Sequence, residues 1–224
     1  MKQPAIDKGQ SYTAGISSWY DGFIYRVLIN PFSNVLAKTV AECIEQNSSV
    51  LDVGCGTGQL AFQLSQKCRR VVGIDFSRKM VEYASRRKAR RRMENVAFVH
   101  GNAADVSKIF SERFDYVTAV MCLHEMDPLS RHRVIAGCLE LTDRVILTDY
   151  ASQFQGNFLS PVRTLIEFCA GKSHFAGYRD WQERGGLEGF IGQKNLDVRR
   201  RIPGRNKFVE TVIVSGRRPP GAGE

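Results

Sequence analysis

The sequence predicts an α/β fold: a seven-stranded, mostly parallel sheet with helices on both faces and an antiparallel strand at its C-terminal end. Three observations predict it. Short apolar runs alternate with amphipathic stretches between residues 50 and 149, which is the rhythm of strands joined by crossover helices. A glycine-rich turn, Gly54-Cys55-Gly56-Thr57-Gly58, lies between the apolar run Val50-Leu51-Asp52-Val53 and the amphipathic stretch Gln59-Leu60-Ala61-Phe62-Gln63-Leu64. The last two apolar runs are separated only by Pro203-Gly204-Arg205-Asn206. A connection that short cannot make a parallel crossover, so those two strands should pair antiparallel.

The elements follow in order. Residues 1–16 carry little periodicity, and 17–29 and 33–46 have helix-like apolar spacing broken by Asn30-Pro31. Strands are expected at 50–53, 70–75, 96–99, 114–120 and 144–149, with helices at 58–67, 78–92, 105–111 and 128–140. Right-handed crossovers then place those helices on both faces. After Tyr150 the rhythm changes to helices at 160–170 and 178–191, the second interrupted by Gly185-Gly186. Strands at 196–202 and 207–215 complete the sheet, and 217–224 is expected to be a disordered tail.

Bulk properties narrow the class. At 224 residues, against roughly 150 per domain, one domain spanning 1–224 is expected. Met1 to Gln10 are polar and lack the apolar core of a signal peptide, and no apolar run reaches the ~20 residues of a membrane span. Six scattered cysteines form no Cys-x-x-Cys pair and read as reduced, buried thiols of a cytoplasmic protein. The formal charge of +9 is concentrated in Arg86-Arg87-Lys88-Ala89-Arg90-Arg91-Arg92. That run reads as a solvated helix face or as a patch for nucleic acid or anionic membrane. No aromatic residue is interleaved in it, so it is not a base-stacking platform.

The glycine turn carries the chemistry. A dinucleotide fingerprint is G-x-G-x-x-G, its third glycine allowing close helix–strand packing. Here the glycines fall at 54, 56 and 58, and the position the dinucleotide version requires is Gln59. A pyrophosphate cradle is therefore disfavoured, and with it a nicotinamide oxidoreductase. Asp52 lies inside the strand, where a carboxylate is costly unless it serves a polar partner. Asp75 ends the second apolar run and can accept both hydroxyls of a ribose. Its alternative use, capping the following helix, is equally open to Ser77. After the third run comes His100-Gly101-Asn102-Ala103, a polar side chain then a small residue, suited to an adenine edge or to an ordinary Gly-Asn turn.

Together these features resemble the class I S-adenosylmethionine-dependent methyltransferases, whose fold is Rossmann-like. The motif acid-x-G-x-G-x-G matches Asp52 to Gly58 at every fixed position, and the resemblance covers residues 17–150 well and 196–215 by topology only. It implies a donor pocket formed by Asp52, Gly54, Cys55, Gly56, Gly58, Asp75, Phe76, Met80, Asn102, Ala103 and Met121, with Tyr20 or Tyr25 closing over it. Asn102 stands where the family usually has Asp, and its carbonyl oxygen can still meet the adenine amino group. Backbone N–H groups at Gly56–Gly58 suit the donor carboxylate, and the Gly54 carbonyl its ammonium.

Within the class, Tyr20-Asp21 and Leu123-His124 are similar to the small-molecule (type 11) branch that includes ubiquinone and menaquinone methyltransferases. Residues 151–195 do not match those enzymes, so their substrate is not implied. His124, with Glu125 beside it, falls just after the fourth strand and is the candidate base; a structural histidine is the competing reading. On this view 1–46 is an N-terminal helical cap and 151–195 a helical insertion on the substrate side. In that insertion His174, Phe175 and Tyr178 are candidates for the acceptor site, with His174 alternatively on the surface. Phe154, Phe158, Trp181 and Phe190 wall an apolar pocket or pack the core. No metal is expected, and the oligomeric state is not legible. The expected partner is a small-molecule acceptor. The rival readings are a nucleic-acid methyltransferase using the basic run and a non-catalytic donor-binding regulator. Against the first, the segment after the fourth strand has no Asn/Asp-Pro-Pro-aromatic motif, and Cys122 follows Met121 rather than a proline.

Overall fold

Strands buried on both faces of a sheet read as continuous apolar runs, and β1 (Ser49–Val53) is buried at all five positions. A computed structural model describes residues 30–151, 172–203 and 208–216, and its elements are numbered within those residues. Around β1 are β2 (Arg70–Asp75), β3 (Val96–His100), β4 (Tyr116–Val120), β5 (Val145–Tyr150), β6 (Leu196–Pro203) and β7 (Val209–Gly216). They form one seven-stranded sheet in the order β3-β2-β1-β4-β5-β7-β6. Strands β1 to β5 pair parallel, with Val50 beside Val71 on one side and beside Tyr116 on the other. β7 runs antiparallel to β5 and to β6.

The order matters more than the count. From β1 the chain moves outward to β2 and β3, then returns to place β4 on the opposite side of β1. That reversal opens a crevice beyond the carboxyl ends of the strands, where open α/β sheets bind ligands. The turn after β1 and the turn after β4 face each other across it.

Side-chain alternation sorts the strands into two cores. Val50, Val71 and Ile146 join Val40 of α1 (Asn30–Glu42), Ile44 just beyond that helix, and Leu60 and Leu64 of α2 (Gln59–Leu64). Leu51, Val72 and Leu147 point the other way, to Val134 and Cys138 of α5 (Pro128–Leu141) and Leu187 of α7 (Gly186–Lys194). Helices thus cover both faces, as the alternation predicts.

Local signals set the helix ends. Ser77 caps α3 (Arg78–Arg91) by accepting from Met80 N at 3.3 Å, and Asp127 caps α5 by accepting from Leu129 N and Ser130 N. Such caps contribute about 1 kcal/mol each. Pro128 opens α5 at a position where its missing N–H costs nothing. The helix expected at 33–46 is described as α1 from Asn30 to Glu42, with Pro31 in its first described turn. The helix expected at 105–111 is a 3-10 turn, Ala103–Asp105, followed by the short α4 (Val106–Ile109). The stretch 178–191 divides into α6 (Lys172–Glu183) and α7, because Gly185 and Gly186 adopt φ of 86° and 59°. The expected helices at 17–29 and 160–170, the connection 204–207 and the tail 217–224 lie outside the described residues. Among the described residues no helix is long and apolar enough to cross a membrane.

The basic run is only partly a solvated face. Arg87 donates to Thr57 O at 2.7 Å and to Gln59 Oε1 at 3.1 Å, and its guanidinium lies 4.8 Å from the Phe62 ring centre. It braces the glycine turn from outside. Of the exposed arginines of the run, Arg86 lies mid-helix, and Arg90, Arg91 and Arg92 lie at the C-terminal end of α3. A crossover helix runs back against its strands, so that end is at the edge of the sheet opposite the crevice.

Candidate active site

One wall of the crevice is the glycine turn. Gly54, Gly56 and Gly58 all have positive φ, at 70°, 50° and 78°, a region that L side chains adopt only at a cost. Two of them also lack room: a Cβ on Gly54 would lie 2.6 Å from Cys122 Cβ, and one on Gly58 2.5 Å from the Phe98 ring. Gly56 differs, since a Cβ there would meet nothing within 4 Å among the described residues. It fronts open space and lets a ligand approach bare backbone.

Beneath the turn, Asp52 is buried, and its Oδ1 accepts a 2.8 Å hydrogen bond from Thr118 Oγ1. Among the described residues its Oδ2 has no partner. Burial pushes the Asp52 pKa up to about 7, opposed by the Thr118 hydroxyl and reinforced by the charge of Asp75. A buried, unsatisfied carboxylate oxygen is costly, and an ammonium group delivered into the crevice would relieve it.

Asp75 ends β2 next to the turn. Its Oδ2 accepts from Gly56 N and its Oδ1 from Ser77 N, both at 2.8 Å. Burial raises its pKa, and those two N–H bonds work against the rise. Ser77, not Asp75, caps α3, and each Asp75 oxygen keeps a second lone pair beyond these amide bonds. The N–H groups of Gly56 and Gly58 are already engaged, by Asp75 and by Cys55 O at 2.9 Å. This corrects the expectation that these two amides are available to a donor carboxylate.

The far side of this wall is apolar. Phe76 exposes 48% of its surface although it is aromatic, Ala103 is buried, and the Met80 amide is tied to the Ser77 cap. The Asn102 carbonyl oxygen accepts from Ala104 N at 2.9 Å, so Asn102 shapes its own turn and has one lone pair there to offer. Cys55 and Cys122 are buried behind the turn, and burial raises both thiols well above their ordinary pKa, which makes them packing groups.

The other wall follows β4. Met121 is held at φ 53°, an unusual conformation for a non-glycine residue, with its amide bonded to Thr148 O at 2.8 Å. The 3-10 turn Leu123–Glu125 comes next. His124 is buried, and its Nδ1 lies 2.7 Å from Asp149 Oδ1. Asp149 Oδ2 accepts from the amides of Leu123 and His124, and Oδ1 also from Tyr150 N. A carboxylate held by three backbone donors is fixed in place. It orients the imidazole so that Nδ1 donates to the carboxylate, and Nε2 lies 4.0 Å from Glu125 Oε1.

Helix α6 closes this wall. A Cβ on Gly177 would lie 2.7 Å from Glu125 O, so α6 packs its backbone directly on the turn. Arg131, buried on α5, donates to Leu123 O at 2.8 Å, to Gly177 O at 2.7 Å and to Asp180 Oδ2 at 2.6 Å. It lies over the Trp181 ring at 5.0 Å, and Trp181 Nε1 donates to Tyr150 O. The rings of Tyr150, His174 and Tyr178 surround His124 at 4.8, 5.7 and 6.4 Å between centres. His174 is buried, which excludes the surface reading, while Trp181 and Phe190 pack in the core. Tyr20, Tyr25, Phe154 and Phe158 lie outside the described residues.

Sequence reasoning missed Asp149 and Arg131. Asp149 had a usable signal, the same acid at a strand end that marked Asp52 and Asp75. Arg131 had none, since an arginine on an amphipathic helix reads as surface.

Comparison with known proteins agrees with this geometry. A methyltransferase domain model matches residues 50–144, which contain the glycine turn, Asp75 and the His124 turn. The demethylmenaquinone methyltransferase of Oceanobacillus iheyensis is 35% identical over 79 residues, covering 34% of this chain and 32% of that protein. A mouse tRNA (uracil-5-)-methyltransferase homolog is 37% identical over 78 residues, 34% of this chain and 13% of that protein. Among solved structures, the N-methyltransferase NodS of Bradyrhizobium japonicum, in complex with S-adenosyl-L-homocysteine, superposes with a TM-score of 0.66 at 14% identity, covering 92% of this chain and 97% of that one. The chain spans less than half the length of the first curated relatives it matches.

Residues 50–144 match a methyltransferase domain, and fold and matched residues together support the class I S-adenosylmethionine-dependent methyltransferases as the class this chain resembles. The cofactor of that class is S-adenosylmethionine, and three features fit it: the orphaned Asp52 Oδ2, the open face of Gly56 and the bare Phe76 ring.

Proposed function

We propose that the chain transfers a methyl group from S-adenosylmethionine to a small-molecule acceptor that must give up a proton. When bound, the cofactor supplies a methyl group activated on a sulfonium centre. Asp75 would hold the ribose hydroxyls, Phe76, Met80, Asn102 and Ala103 the adenine, and Asp52 with the Gly54 carbonyl the ammonium. Cys55, Gly56, Gly58 and Met121 would shape the pocket, and Tyr20 or Tyr25 would close it. Holding two reactants in line supplies much of the rate enhancement in such a transfer.

The observation that carries the acceptor half is the His124–Asp149 pair, 2.7 Å apart and buried beside the crevice. His124 Nε2 would take the acceptor's proton, with Glu125 beside it at 4.0 Å. Residues 151–195 would form the acceptor side of a single domain, with 1–46 as its cap. In support, His174, Tyr178 and Trp181 of α6 pack against the His124 turn or the end of β5. The five free cysteines among the described residues support a cytoplasmic setting.

A second reading, RNA methylation, is favoured by the basic run. It is the weaker of the two, because Arg90, Arg91 and Arg92 lie at the end of α3 remote from the crevice and offer at most a remote contact. A labelled-methyl assay against mixed small-molecule and RNA pools tests the choice. Label in the small-molecule fraction is expected; label confined to RNA, with salt-dependent binding, would replace this reading with the second.

A further inference from the structure

The acceptor wall contains a constellation that neither methyl transfer nor the sequence motifs require. His124, Glu125 and His174 each bring one ligand-type atom to a common point, all within 4.8 Å of one another. His124 Nε2 is 4.0 Å from Glu125 Oε1, and His174 Nδ1 is 3.7 Å from Glu125 Oε2. The histidine side chains are 3% and 7% exposed and Glu125 34%, so the cluster is walled by imidazole and opens on its carboxylate side.

We propose that these three side chains form a binding site for a divalent transition-metal ion. Geometry and chemistry both support it. Two imidazoles and a carboxylate suit Zn²⁺ and its first-row neighbours, whereas Mg²⁺ and Ca²⁺ prefer all-oxygen sites. Metal–ligand bonds of about 2.0–2.1 Å put ligand atoms roughly 3.3 Å apart. The separations here are wider by no more than about 1.5 Å, a gap that side-chain torsions close.

A second observation is independent of the cluster. Histidines that ligate metals almost always donate their other ring N–H to a carboxylate or carbonyl, and His124 does so to Asp149, itself fixed by three backbone amides. The backbone bearing the ligands is rigid as well. Arg131 bonds the carbonyls of Leu123 and Gly177, and Gly177 packs on Glu125, so Glu125 and His174 are held at fixed spacing although 49 residues separate them.

The geometry stands without the methyl-transfer reading; only its consequence rests on that reading. A bound ion takes the Nε2 lone pair that proton removal would use. Metal occupancy and base catalysis through His124 therefore exclude each other, and the site acts as an inhibitory metal sensor.

The test is Zn²⁺ titration of the intact chain by calorimetry, with Co²⁺ as a spectroscopic probe. One ion per chain is expected, with visible Co²⁺ absorption of low coordination number. His174→Ala and Glu125→Gln should each abolish the Co²⁺ band, and Asp149→Asn should weaken binding about 10–100-fold. His132→Ala, a change at an exposed histidine on α5, should leave binding intact, and circular dichroism shows whether each variant is folded. Absence of one-to-one binding, or binding unchanged in folded His174→Ala and Glu125→Gln, overturns the site. Binding that leaves turnover unchanged upholds the site and removes instead the base role of His124.

Discussion

The two walls of the crevice are built in opposite ways. The donor wall is local: Asp52, the three glycines, Asp75, Ser77 and Asn102 all come from two successive strand–turn–helix units and the turn after the third strand. Its conformations are imposed within one short stretch of chain, by Asp75 on Gly56 N, 19 positions away, and by Ser77 on Met80 N, three positions away. The acceptor wall is assembled from distance. His124, Arg131, Asp149 and His174 lie on a turn, a helix, a strand end and a second helix, and meet only when the sheet and α6 are in place. A site written in contiguous motifs can be shared by many relatives, whereas one assembled by packing can differ with each insertion.

The largest expected effect separates the walls. His124→Ala should lower turnover by about 10²–10⁴-fold while leaving donor affinity, measured by calorimetry, nearly unchanged. Normal turnover would remove the proton-transfer role and leave only the donor wall defined.

Next in size is a change within the donor wall. Gly54→Ala places a Cβ 2.6 Å from Cys122 Cβ on a residue at φ 70°. Left-handed backbone and overpacking together should cost about 3 kcal/mol in a denaturation experiment. Stability unchanged within error would show that the two walls are not wedged together at this point.

Asp75→Ala should weaken S-adenosylmethionine binding about 10–100-fold, through loss of charge-assisted hydrogen bonds, with turnover at saturating donor much less affected. NAD should not bind either protein. Unchanged donor affinity would take the ribose role away from Asp75.

The smallest effect is a pH dependence confined to the donor wall. Burial holds the Asp52 pKa near 7, above its ordinary carboxylate value. A raised carboxylate pKa favours the folded state at low pH, and that contribution is lost as pH rises through about 7. The ligand-free protein should therefore be more stable to heat at pH 5 than at pH 8 as far as Asp52 governs it. Pairing with an ammonium requires the ionised carboxylate, so donor affinity should move oppositely, falling about tenfold from pH 8 to pH 6. An Asp52→Asn protein should lose both trends, and their persistence would place the titrating group elsewhere.

The contrast also explains what was legible beforehand. The sheet was readable because buried parallel strands are unbroken apolar runs, and the antiparallel end because a short connection joins its strands. Boundaries failed where a rule had two readings. The helix expected from residue 33 takes in Asn30 and Pro31, and the first turn of α6, around Lys172, carries little apolar signal. Asp52 and Asp75 stood out as acids in apolar strands. Asp149 has the same signature and was passed over because no motif surrounds it. The burial of Arg131 could not be read at all, since it depends on carbonyls brought in by α6. Tyr20 and Tyr25, proposed to close the donor pocket, lie outside the described residues.

The central claim is that the carboxyl ends of β1 and β2 form a clamp for an adenosyl sulfonium compound. A crystal structure of the protein grown with S-adenosylhomocysteine tests it most directly. The account predicts the ribose on Asp75, the adenine against Phe76 and the ammonium at Asp52 Oδ2. An empty crevice, or a ligand bound elsewhere with Asp75 turned away, would contradict it.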